Sequence, residues 1–291
     1  MKKMPVILTF DIDGETLWRC RDPKNAERPV ILSQGQYGPE TAMPRILKLL
    51  RRHGVHATFF IPGFTAEEYP DMVREIAAEG HDIGNHSWSH TYPDNMDGRE
   101  QEEREYHDCS DILEKLTGRR PKGYRSPAWE FSPYSIDILE KMGDIEYSSN
   151  MMNTEEIRYL TVNGRKSRLV ELPIHWVLDD AAFWLYSVRT PGKCMQPLAA
   201  VAEYWREEFD AILEEFQEQV GERGDSDICF VLTCHPQIIG RPAKVKLLDR
   251  FVQHMQDTGA VEFLTGTEAA DRFRATHWMY WRERPCCEGG I

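Results

Sequence analysis

An α/β fold built on a parallel sheet is the expectation set by three features of this 291-residue chain. Short apolar runs alternate with segments whose apolar residues recur at three- and four-residue steps, the pattern of successive βα units. The runs Val6–Phe10 and Cys229–Leu232 are apolar at consecutive positions, so both faces of those strands are covered, as in a parallel sheet or barrel. Turn and cap signals fall between the two kinds of segment. Periodicity alone leaves open sheet and closed barrel equally open.

In chain order, strands are expected over Pro5–Phe10, His56–Pro62, Asp82–Asn85, Lys122–Arg125, Leu169–Ile174, Ile228–Thr233 and Ala260–Leu264. Helices are expected over Ala42–Arg52, Ala66–Glu79, Arg99–Leu116, Pro133–Met142, Leu198–Val220 and Ala243–Asp257. Thr65-Ala66-Glu67-Glu68 and Thr265-Gly266-Thr267-Glu268 have the capping-box form, and Gly80 stands past the end of the second helix. Ser132-Pro133 places a capping hydroxyl before a proline at the first helical position. The charged, proline-bearing stretch 17–38 reads as a long irregular loop directly after the first acidic motif, and a loop of that length is usually functional. A tail over 277–291, with Trp278, Tyr280 and Trp281, reads as a domain cap or a subunit contact. The whole span 1–291 is read as a single catalytic domain.

Thirty-five Lys and Arg against 48 Asp and Glu give a formal charge of −13, which disfavours nucleic acid and anionic membranes as partners. Seven cysteines form no Cys-x-x-Cys pair, which excludes a disulfide framework or a cysteine-rich zinc ribbon. No apolar stretch reaches the ~20 residues of a membrane span, and the expected setting is a reduced cytoplasm. Serine-hydrolase, dinucleotide and nucleoside-triphosphate chemistry have no motif to rest on.

The chemical residues cluster at strand ends. Thr9-Phe10-Asp11-Ile12-Asp13-Gly14 runs an apolar strand into two carboxylates, which an extended chain directs to one face. His86-Ser87-Trp88-Ser89-His90 spaces two imidazoles as one helical turn does, so both can reach one metal once a carboxylate joins them. Arg125 opens the segment Arg125-Ser126-Pro127-Ala128-Trp129 and cannot lose its proton, so it orients carboxylates. Trp176 precedes Asp179-Asp180, and His235 closes Leu232-Thr233-Cys234-His235-Pro236. Each has a bland reading as an ion pair, cap or buried imidazole; their joint placement at strand ends favours one shared site.

Taken together, these segments resemble, in order, the motifs of the polysaccharide deacetylase family, also called the NodB-homology or carbohydrate esterase family four. The resemblance implies a distorted (β/α) barrel of about seven parallel strands, a divalent metal, usually zinc, and hydrolysis of an N-acetyl amide. Position by position it implies Asp13, His86 and His90 as metal ligands, Asp11 as catalytic base, His235 as catalytic acid and Arg125 as the holder of the base. Asp179 or Asp180 is implied as the partner of His235, the Ala128 N–H as an oxyanion donor, and Trp129 and Trp176 as substrate contacts. Ile12 splits the aspartate pair, as in the branch holding leaderless peptidoglycan deacetylases and hydrolases of small cyclic amides. Trp129-Glu130-Phe131 replaces the tyrosine and glycine of many sugar-acting members.

The resulting expectation is an N-deacetylase of acetylated sugars or peptidoglycan fragments, acting on a small-molecule or oligosaccharide substrate. A ring-opening hydrolase of a cyclic ureide or imide is the alternative, and a non-catalytic carbohydrate-binding protein the remote one. A homo-oligomer is expected from the aromatic tail and the branch resemblance.

Overall fold

The computed structural model describes residues 2–186 and 195–277. Nine strands form one sheet: β1 (Met4–Asp11), β2 (Thr58–Ile61), β3 (Asp82–Asn85), β4 (Gly123–Tyr124), β5 (Tyr147–Ser148), β6 (Arg158–Val162), β7 (Arg165–Glu171), β8 (Phe230–Cys234) and β9 (Val261–Phe263). Their order is β6-β7-β5-β4-β3-β2-β1-β8, with β9 also pairing β1, and every pairing except β6–β7 is parallel. Single bridges join the segment after β7 to β8 (Asp179–Thr233) and the segment before β6 to the segment before β8 (Glu156–Ile228). The sheet therefore curls until its two edges touch, giving the distorted α/β barrel that the family resemblance implies.

The alternation of β1 decides where the chemistry lies. Val6, Leu8 and Phe10 join the larger apolar cluster, packed with residues of the helices Met43–His53, Leu198–Arg223 and Pro242–Asp257. Ile7 belongs to a second cluster with Phe60, Tyr147, Val170 and Val231. Thr9 and Asp11 share the face of Ile7 by the two-residue period, so that face turns from apolar to polar toward the carboxyl end of the strand. All of these residues are buried.

Several element expectations need correction. The stretch 17–38 is mostly helical, through Thr16–Arg19, Pro23–Glu27 and Pro29–Tyr37, followed by a π turn over Gly38–Ala42. Asp22 accepts the N–H of Lys24, and Pro29 starts its helix where a missing N–H is harmless. Gly35 permits the close approach: a Cβ there would lie 2.4 Å from the carbonyl oxygen of Gly14. The helix expected over Ala66–Glu79 is two, Gly63–Glu68 and Pro70–Ala78, because Pro70 has no N–H to continue the first. Thr65 caps nothing and instead donates its hydroxyl to the carbonyl of Asp13 at 2.8 Å. Helix Ser135–Met142 begins later than expected, whereas Thr265 and Glu268 form the expected capping box.

Strand β6 and its antiparallel pairing with β7 escaped the periodic reading, although Asn163-Gly164 between them is a hairpin signal with both residues at positive φ. Of the tail expected over 277–291, all but His277 lies outside the described residues. No helix among the described residues is long and apolar enough to cross a membrane.

Candidate active site

Five chain segments bring their polar residues to the carboxyl ends of the parallel strands. Asp11 ends β1 and Asp13 lies two residues beyond; His86 and His90 follow β3, Arg125 follows β4, Asp179 and Asp180 lie beyond β7, and His235 follows β8. They surround a cavity of about 250 Å³ whose walls include Asp11, Asp13, His86, His90, Asp179 and His235. Ala128, Trp129 and Trp176 line it as well.

One oxygen of Asp13 organises the first group. Its Oδ1 lies 3.4 Å from Nε2 of His86 and 3.4 Å from Nε2 of His90. It is buried and makes no hydrogen bond. A tetrahedral ion with ligand bonds of about 2.0–2.1 Å has ligand–ligand edges of about 3.3–3.4 Å, so the three atoms fit a metal better than they fit one another. The ring of His86 is turned by its Nδ1, which donates to the carbonyl of Arg125 at 2.7 Å and leaves Nε2 as the lone-pair atom. Burial pushes the His90 imidazole below its ordinary pKa despite the neighbouring Asp13 carboxylate, favouring the neutral form that ligates.

The expected helical turn is absent between these histidines. The segment is irregular, with Ser87 and His90 at φ of 62° and 61°, a left-handed conformation that non-glycine residues adopt only when held. What holds it is Glu105, on the helix Arg99–Thr117. Its carboxylate accepts from the Ser87 hydroxyl at 2.9 Å and from both the N–H (2.9 Å) and the hydroxyl (2.7 Å) of Ser89. Asn85 adds a bond from the Ser87 N–H at 2.8 Å.

Arg125 is fully buried and spends its guanidinium on β1 and on the residue after β5. It donates to Thr9 Oγ1 and Asp11 Oδ1 at 2.8 Å each, and to the carbonyl and hydroxyl of Ser149 at 3.2 and 2.8 Å. Removing one partner of such a buried pair costs about 3–5 kcal/mol because the other charge is left alone.

His235 forms a different kind of group. Its Nδ1 lies 2.7 Å from Asp180 Oδ1, which also accepts the His235 N–H at 3.0 Å. Asp179 is farther from Nδ1, at 3.4 Å, and caps the N–H of Ala181 at 2.8 Å. The 2.7 Å contact is a hydrogen bond and leaves no room for an ion between the two atoms. Burial opposes protonation of His235, but Asp179, Asp13 and the bond to Asp180 outweigh it and hold the imidazole well above its ordinary pKa. Nε2 is left toward Asp13, 3.7 Å away.

Ala128 and Trp129 both have positive φ, at 56° and 61°, in a turn anchored by Asn150 Oδ1 accepting the Ser126 N–H at 2.8 Å. That turn lays Trp129 on Trp176, ring centroids 4.1 Å apart and 15° from parallel. Trp176 keeps 43 % exposure.

Three neighbours of the site were missed in the sequence. Glu105 looked like any charge on a solvated helix face. Cys20, whose thiol burial pushes up to about 12, sits 3.6 Å from Nδ1 of His90. Arg21 lines the cavity. The last two lie in the stretch read as irregular, and only their nearness to the acidic motif hinted at them.

The class defined by fold and site is a curled α/β sheet with a metal-ready Asp-His-His cluster at its strand ends. A family model described as polysaccharide deacetylase matches residues 1–144. A chitooligosaccharide deacetylase of Azorhizobium caulinodans is 32 % identical over 176 residues, 56 % of this chain and 80 % of that one. A peptidoglycan deacetylase of Helicobacter pylori is 27 % identical over 94 % of this chain and 97 % of its own length. A crystal structure from Mycobacterium smegmatis assigned to the polysaccharide deacetylases superposes with a TM-score of 0.84 at 29 % identity, covering 100 % of this chain and 96 % of the other. The chain belongs to the polysaccharide deacetylase family, hydrolases of carbon–nitrogen bonds other than peptide bonds.

Because Glu105 bridges Ser87 and Ser89, Glu105→Gln is expected to weaken zinc binding by about 10–100-fold with the fold retained. Chelator competition measures the affinity and circular dichroism the fold; unchanged affinity would separate the carboxylate from the histidine geometry.

Proposed function

We propose that the protein removes the acetyl group from the nitrogen of an acetylated sugar or peptidoglycan fragment. The observation that carries this is the unpartnered Asp13 Oδ1 at 3.4 Å from both histidine Nε2 atoms, beside a second carboxylate, Asp11, already held by Arg125. Asp13, His86 and His90 would hold the divalent ion, and two imidazoles with one carboxylate suit zinc. When bound, such an ion polarises an amide carbonyl and makes a water molecule acidic near neutral pH.

The protein's own groups do the rest. Arg125 fixes the Asp11 carboxylate at the cavity wall, where it accepts the proton of the attacking water. His235, tied at Nδ1 to Asp180, presents Nε2 to the cavity and donates its proton to the departing nitrogen. Asp180 is the partner favoured by distance, with Asp179 holding the following turn. Ala128 offers a backbone N–H where negative charge develops on the amide oxygen. The stacked Trp129 and Trp176 give a sugar ring a flat face to lie against.

A cavity of about 250 Å³ admits a small compound or the end of an oligosaccharide. The same size accommodates a cyclic ureide or imide, and the product distinguishes the two readings: acetate from one, a ring-opened acid from the other. The cytoplasmic setting belongs to this proposal, supported by Cys20, Cys109, Cys229 and Cys234, all unpaired. So does the homo-oligomer, whose sequence support lies partly in the tail.

Zinc-loaded protein is expected to release acetate from N-acetyl chito-oligosaccharides, with loss of most turnover on chelation and in Asp11→Asn, which should still bind zinc and unfold cooperatively. No acetate from zinc-bearing protein, with a ring-opened acid formed from a cyclic ureide, would replace the deacetylase reading.

Protonated His235 is the working form of an acid, and Asp179, with the hydrogen bond to Asp180, extends that form to higher pH. Asp180→Asn is therefore expected to move the alkaline limb of the kcat/KM profile to lower pH by about one unit or more. A limb that stays in place would remove Asp180 from this role.

A further inference from the structure

Arg21 has no part in the chemistry above, yet it lines the same cavity. It follows the helix Thr16–Arg19, is exposed, and makes no ion pair or side-chain hydrogen bond among the described residues. Its neighbours in sequence are engaged: Arg19 lies over the ring of Phe64 at 5.1 Å, and Arg28 pairs with Asp22 at 3.2 Å. Among the described lining residues Arg21 is the one lysine or arginine.

The carboxylates of the wall have other partners. Asp11 is bonded to Arg125, Asp179 caps Ala181, and Asp13 faces the two histidines. Nothing in the described wall calls for a second fixed positive charge, and the chain as a whole, at −13, repels anions. Much of the remaining lining is aromatic or aliphatic, through Leu17, Tyr92, Trp129, Trp176 and Leu185. An arginine left unpaired beside such a surface is matched by a ligand with an apolar face and an oxyanion.

We propose that Arg21 is a specificity residue that binds an oxyanion substituent, so that the preferred substrate is a small N-acyl compound carrying a carboxylate or a phosphate. This rests on the deacylation reading of the site and deepens it. A guanidinium gives charge-assisted, bidentate bonds to either oxyanion, whereas a neutral sugar leaves it to water.

Three sugars test the idea: N-acetylglucosamine, N-acetylmuramic acid, which adds a lactyl carboxylate, and N-acetylglucosamine 6-phosphate. With zinc-loaded protein, at least one anionic sugar is expected to exceed the neutral one in kcat/KM by about tenfold or more, and which one does so tells carboxylate from phosphate. That ratio should shrink toward one in Arg21→Ala, chiefly through KM, survive in part in Arg21→Lys, and fall as salt is raised. A wild type that treats the three alike, or an Arg21→Ala variant that keeps the ratio, overturns the proposal. Should no sugar release acetate, calorimetric binding of the same three to the zinc-loaded protein still decides. Tighter binding of an anionic sugar that is lost in Arg21→Ala supports the proposal, whereas equal or absent binding overturns it. The missing acetate would count only against the deacetylase reading.

Discussion

Arg125 is the residue through which the site is assembled. Its side chain ties Asp11 and Thr9 of β1 to Ser149 beyond β5, and its carbonyl orients the ring of His86. A buried guanidinium is tolerable only when its donors are satisfied, so the strand ends around it must keep their register. That requirement locks the candidate base and one candidate ligand to the same group. The planar fork explains why a lysine could not substitute: one point charge cannot reach Thr9, Asp11 and both oxygens of Ser149 at once.

A second layer sets the remaining positions. The carbonyl of Asp13 accepts the hydroxyls of Thr16 and Thr65, and the helix Pro29–Tyr37 presses Gly35 against the backbone of Gly14 just beyond it. Glu105 bonds Ser87 and Ser89 within a segment whose Ser87 and His90 hold a conformation neither residue favours alone. The strain of two left-handed residues is offset by bonds from one buried-side carboxylate, and its result is that two imidazole nitrogens meet one aspartate oxygen. Helical geometry is not needed for two histidines four apart to converge.

Much of this was legible in the sequence. Strands β1, β2 and β8 carry consecutive apolar residues, so Asp11, Asp13 and His235 stood out at or just beyond strand ends, whereas His86 and His90 stood out by their four-residue spacing. The parts that were not legible depend on distant contacts. Strand β5 is two residues long and pairs through its neighbours' register, and β6 alternates too weakly to be seen without its hairpin turn. The helices between Thr16 and Tyr37 are short and bury few apolar side chains, Leu17, Trp18 and Leu32, while Pro29–Tyr37 packs on the acidic loop through Gly35, so no long amphipathic stripe marks them. No sequence pattern encodes that His235 Nδ1 lies 2.7 Å from Asp180 and 3.4 Å from Asp179.

The central claim is that Asp13, His86 and His90 converge on a single divalent ion. Anomalous diffraction at the zinc edge from crystals of the zinc-loaded protein addresses it most directly. The account predicts one strong peak about 2.0–2.2 Å from Asp13 Oδ1 and from Nε2 of both histidines. A peak between Asp179, Asp180 and His235, or no peak near Asp13, would contradict it.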